Sequence, residues 1–87
     1  MNVLHIVNHP SAIESCLEVA TDEDAILLIE DGVYLAAFEV SRAVFILADD
    51  AHVRGLGDRL PQHAKFVDYD GFVRLAVDHN PIVTWRR

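Results

Sequence analysis

Five short apolar runs are spaced along the chain, separated by polar stretches that carry glycine or proline. Val3 to Val7 (VLHIV) ends in Asn8-His9-Pro10 and predicts a strand followed by a turn. Ala25 to Glu30 (AILLIE) and Ala43 to Ala48 (AVFILA) are nearly continuous, the pattern of strands buried on both faces of a parallel sheet. Lys65 to Tyr69 (KFVDY) is a weaker strand, and Ile82 to Trp85 (IVTW) a short terminal one.

Helical signals fill the gaps between these runs. Ser11 with Glu14 three residues later forms a capping box and predicts a helix through about Ala20. Ile13, Cys16, Leu17 and Ala20 make one apolar stripe along it. After the Asp31-Gly32 turn, Val33 to Val40 (VYLAAFEV) is long enough for a helix of about two turns. Ala51 to Leu60 (AHVRGLGDRL) is expected to be a short helical or irregular crossover broken by Gly55 and Gly57. Asp70 is expected to cap a helix reaching about His79, where Asn80-Pro81 stops it. Strands alternating with helices predict an α/β fold, a small mostly parallel β-sheet with helices on both faces, in a single domain over 1–87.

Composition narrows the functional classes. The 87 residues are 52% hydrophobic and 24% charged, which is globular, and so much apolar surface on a short chain favours burial against a partner. The net charge is −7 and Lys65 is the one lysine. A stripe of cations able to neutralise phosphates is missing, which argues against direct nucleic-acid binding and against an anionic membrane surface. One cysteine cannot form an internal disulfide. With no signal-peptide pattern at the start and no apolar run near the length of a membrane span, the expectation is a soluble, cytoplasmic protein.

Cys16 is the obvious candidate for chemistry. A nucleophilic thiol needs a helix N-terminus or a cation to lower its pKa, whereas Cys16 falls beyond the first helical turn, on the apolar stripe, with Glu14 and Glu18 nearby. Local chemistry therefore favours a packed thiol over a reactive one. Asn8, His9, Asp31, Asp49 and Asp50 are expected at or just past strand ends, the edge where open α/β sheets bind ligands. The Asp49-Asp50 pair invites comparison with a magnesium-dependent phosphoacceptor site, but the acidic cluster such a site needs after the first strand is missing from VNHP. Turn and cap roles account for these acids. His5 and His9 with Cys16 make only part of a metal-ligand set, so no metal site is assigned and no cofactor is expected. Glycine-rich phosphate loops and the nucleophile-elbow pattern are missing from the sequence. Tyr69, Phe72 and Trp85 serve either core and edge packing or an oligomer contact at an open sheet edge.

Four stretches taken together resemble one family. LHIVNHP, LLIEDGVYLA, LADDAHVRGLGDRL and above all VDYDGFVRLAVDHNPIVTW are similar, in this order, to the TusB/DsrH family of sulfur-relay subunits. The resemblance implies a small DsrE/DsrF/DsrH-type α/β fold. It also implies a heterohexamer with TusC/DsrF-like and TusD/DsrE-like subunits, two copies of each. Such a complex passes persulfide sulfur to a TusE/DsrC-like downstream carrier, either for 2-thiolation of the tRNA wobble uridine or for Dsr-type sulfur oxidation. In this family the essential persulfide cysteine is attributed mainly to the TusD/DsrE-type partner. With that cysteine on the partner, the implied role of this subunit is mainly structural. Cys16 matches a first-helix cysteine of DsrH-type members that TusB-type members can lack, which points to the DsrH branch without implying catalysis. The alternatives are a persulfide carrier using Cys16 and a stand-alone homo-oligomer. One departure stands out: between DGVYLA and VFILADD only AFEVSRA remains, where the family usually has a longer helix and loop.

Overall fold

The computed structural model describes residues 2–37, 42–56 and 64–86. Five strands form one sheet: β1 (Leu4–Val7), β2 (Ala25–Leu28), β3 (Val44–Leu47), β4 (Ala64–Val67) and β5 (Ile82–Trp85). Their order is β4-β3-β2-β1-β5, and every neighbouring pair is parallel. β1 sits between β2 and β5, with Leu4 paired to Ala25 on one side and Ile82 on the other. All residues of β1 and β2 are buried, His5 among them in the otherwise apolar β1, while β5 alternates exposed and half-buried positions at the sheet edge.

The winding places the helices. The connections β1 to β2, β2 to β3 and β3 to β4 each step one strand in the same direction. Right-handed crossovers therefore lay their helices on one face. These are the 3-10 turn Pro10–Ala12 continuing into α1 (Ile13–Val19), the 3-10 segment Glu30–Ala37, and α2 (Ala48–Val53). The last connection runs from β4 back across the sheet to β5, and the same handedness puts α3 (Tyr69–Asp78) on the opposite face. The larger core lies under the first group and includes Val7, Cys16, Ile26, Leu28, Val33 and Ile46. Leu4, Ile6, Ala25 and Leu27 form a smaller core, against which Phe72, Leu75 and Ala76 of α3 pack.

The fold class is the one expected, an α/β fold with a parallel sheet, but several boundaries move for local reasons. Ser11 does not cap the first helix. Pro10, whose ring fixes φ, starts a helical turn two residues earlier, so the extended His9 becomes the cap and its ring accepts from the Ser11 amide. Asp68, not Asp70, caps α3, its carboxylate accepting from the Gly71 amide at 2.8 Å, which makes Tyr69 helical. Ala48 opens α2 rather than closing β3. β2 ends at Leu28, because Glu30 turns the backbone into the left-handed region (φ 49). The expected two-turn helix over 33–40 is a 3-10 segment as far as Ala37, and the rest of it lies outside the described residues, as does the 57–60 end of the second crossover. Gly32 is required where it stands, since a Cβ there would run into the Val7 carbonyl.

Candidate functional site

Two places gather the polar groups: the carboxyl ends of the strands, and a buried cluster toward the amino ends of β1 and β2. At the carboxyl edge, Asn8 follows β1 directly and His9 begins the turn into the first helix. Asp31 lies in the 3-10 segment after β2, and Asp49 and Asp50 occupy the first turn of α2 after β3. The topology thus brings these five predicted residues to one edge, where their side chains have mostly local duties. His9 Nδ1 lies 2.9 Å from the Ser11 hydroxyl. Asp50 accepts from the Glu30 amide at 2.6 Å, holding the left-handed turn after β2. Arg54 donates to Asp31 at 2.9 Å and to the Asp50 carbonyl at 3.2 Å, tying α2 to the neighbouring 3-10 segment. Asp49 is exposed. This arrangement neutralises part of the acidic charge and braces the loops; among the described residues, no three His, Cys, Asp or Glu side chains gather as metal ligands would.

Cys16 stands elsewhere, midway along α1 and fully buried in the larger core. Burial pushes its thiol up to about 11; the Arg42 charge works in the opposite direction and the Asp24 carboxylate adds to the rise. A thiol in that state is protonated at neutral pH and shielded from solvent, the reverse of what a nucleophile needs.

The buried cluster was not singled out by sequence patterning. His5, 1% exposed, points its Nε2 at Asp24 Oδ2 across 2.8 Å, and its Nδ1 lies 3.0 Å from the indole Nε1 of Trp85. Asp24 also accepts from the Val3 and Thr21 amides, both at 3.0 Å. Burial opposes charge on Asp24, but the hydrogen bonds from Val3, His5 and Thr21 outweigh it and hold the carboxyl well below the usual range. Arg42 reaches over from the approach to β3 and donates to the Thr21 and Asp24 carbonyls at 2.8 and 2.6 Å. A histidine inside the apolar VLHIV run, an aspartate immediately before AILL and the single tryptophan near the end were the signals of this cluster. None of the three reveals in sequence that they meet.

The three aromatic candidates separate. Tyr69 is 55% exposed on α3, Phe72 packs inward against the smaller core, and Trp85 packs on the larger core while bonding His5. Beside Tyr69, Val73 and Val77 follow at steps of four and are 60% and 78% exposed, an apolar stripe on the outer side of α3. Among the described residues, no helix is long and apolar enough to cross a membrane.

Comparison with known proteins supplies the remaining observations. Residues 8–82 match the family described as DsrH like protein. The chain is 32% identical over 95 aligned residues to Protein TusB of Yersinia pestis (strain Pestoides F), an alignment covering 95% of this chain and 100% of that relative. Protein TusB of Yersinia pseudotuberculosis (serotype O:1b, strain IP 31758) aligns with the same identity and coverage. The aligned stretch is longer than the 87 residues present here, so these relatives carry residues that this chain lacks.

Proposed function

Because this chain belongs to the TusB/DsrH family, we propose that it is a mainly structural subunit of a cytoplasmic sulfur-relay complex, in which the persulfide chemistry belongs to a partner. The reading rests above all on Cys16. The chain's one thiol is enclosed in the core and its pKa is raised to about 11, so it is poorly suited to attack a sulfane sulfur. TusC/DsrF-like and TusD/DsrE-like subunits would supply the reactive cysteine. A TusE/DsrC-like carrier would accept the sulfur for tRNA 2-thiolation or for sulfur oxidation. The exposed Tyr69, Val73 and Val77 stripe supports a subunit contact, since apolar side chains at such exposure gain from being covered.

Co-expression with TusC- and TusD-like partners tests the proposal, the expected result being a stable complex that co-purifies through a tag on this subunit. Failure to co-purify overturns it. A second measurement addresses the carrier alternative. The folded protein is incubated with a sulfur donor and weighed intact; no adduct of about 32 Da (one sulfur atom) is expected. An adduct on the wild type that Cys16→Ser lacks makes the chain a persulfide carrier instead.

A further inference from the structure

The His5 cluster fixes a protonation state by geometry alone. An indole N–H can only donate, so the Trp85 Nε1 to His5 Nδ1 bond of 3.0 Å requires a lone pair on Nδ1. The ring proton must then sit on Nε2, where it is donated to Asp24 Oδ2 at 2.8 Å. His5 is thereby held as the neutral Nε2–H tautomer between the last strand and the turn before β2. A second proton has only Nδ1 to occupy. There it would face the indole N–H, donor against donor, and the Trp85 bond would be lost while the bond to Asp24 became an ion pair.

What Trp85 holds gives this bond its consequence. Among the described residues β5 is an edge strand paired only to β1, and Trp85 is its last residue. The indole lies beside the His5 ring, with centroids 6.1 Å apart and planes 30° apart. The Trp85 carbonyl accepts from the Asn8 amide at 3.3 Å, at the carboxyl edge of the sheet. We propose that His5 is a proton-sensitive latch: in its neutral form it fastens Trp85 and the end of β5, and its protonation releases that end together with the Asn8 corner while the rest of the sheet stays folded.

The surroundings of the ring are consistent with such a step. The turn before β2 presents Asp24, and the approach to β3 presents Arg42, whose charge is engaged by the Thr21 and Asp24 carbonyls. α1, packed over β1 and β5, presents buried Cys16 and keeps Glu14 and Glu18 exposed. β2 places Ile26 opposite His5, and β5 places Val83 there. Asp24 is thus the acidic group at the ring, and it stays ionised well below the usual carboxylate range, so it can hold an imidazolium after Trp85 has let go.

Ring-nitrogen NMR of His5 and amide exchange of the full chain, followed together over the pH range in which far-UV circular dichroism stays native, test the latch. The neutral protein should show the Nε2–H tautomer. As Nδ1 takes its proton, protection of the Asn8 amide and the Trp85 indole should fall by about two- to tenfold, the worth of one hydrogen bond, with the same midpoint. His5→Gln, which can accept from Trp85 and donate to Asp24 without titrating, should keep the protection and abolish its pH dependence. Should His5→Gln fail to fold, Trp85→Phe serves instead, with Asn8 exchanging at the faster rate at every pH. An Nδ1–H tautomer at neutral pH, protection unchanged as His5 protonates, or no protonation before the fold is lost each overturns the proposal.

Discussion

The two faces of the sheet are built differently. One carries α1, two 3-10 segments and α2, and its core residues, from Val7 to Ile46, are almost wholly removed from solvent. Among the described residues the other carries α3, a helix with no fully buried residue, whose outer stripe of Tyr69, Val73 and Val77 is more than half exposed. Ile82, which register with Leu4 places on this same face, is 47% exposed at the edge. The difference follows from winding: three right-handed crossovers step one way and a single one returns. The described residues finish one face and leave apolar side chains of the other exposed, which is where a small domain gains from a partner. The finished face also holds the buried polar cluster, so it should be the more sensitive to mutation in stability, and the open face in association.

The largest effect is expected at Asp24. Asp24→Ala leaves the Val3 and Thr21 amides and His5 without their acceptor in a buried place and should cost about 3–5 kcal/mol, measured by urea unfolding. The same carboxylate sets an acid limb. Its folded pKa lies below the ordinary 3.8, so its contribution is present above that value and lost as pH falls through the lower folded one. Asp24→Asn should flatten the stability profile below about pH 4, the ordinary carboxylate range. An unchanged acid limb would show that other groups govern acid unfolding.

Next comes a matched pair of leucines. Leu28 is fully buried under the helices of the finished face, and Leu28→Ala should cost about 2–5 kcal/mol. Leu75, half-buried on α3, should cost less, about 1–2 kcal/mol for the same truncation. Equal losses in urea unfolding would contradict the contrast between the faces.

Where the physics is local, the sequence carried the structure. Apolar runs such as AILL and VFIL declared strands buried on both faces, and IVTW declared a short last one, because burial acts residue by residue. Helix starts were less legible. His9 and Asp68 compete with Ser11 and Asp70 for the capping role, and only the settled backbone decides between them. The carboxyl-edge residues could be placed from strand ends alone, yet their partners, Arg54 for Asp31 and the Glu30 amide for Asp50, depend on how the crossovers pack. The His5, Asp24 and Trp85 cluster was the least legible, since Trp85 lies 80 residues from His5 and meets it only when β5 pairs with β1.

Cys16 offers a smaller effect on the finished face. Cys16→Ala removes a buried sulfur and should destabilise by about 1–2 kcal/mol, a packing cost without a chemical one. In the folded wild type, a maleimide should label Cys16 no faster than the protein opens. Prompt labelling at neutral pH would mean the thiol is reachable and would contradict a purely structural Cys16.

The smallest change in stability and the clearest change in association should come from the open face. Val77 is 78% exposed and Tyr69 55%, so truncating both to serine removes little buried area and should leave urea stability within about 0.5 kcal/mol of wild type. If the stripe meets a partner subunit, the same change uncovers a tyrosine-sized pocket on that partner. Exposed tyrosines that become central to an interface commonly account for more than about 1 kcal/mol of binding, which is at least fivefold in Kd. Titration of the double variant against the purified TusC- and TusD-like subunits should therefore show weakened assembly with an intact fold. Wild-type assembly by the variant would leave the subunit contact to Ile82 and the β5 edge, where an open strand can pair with a neighbour through its backbone.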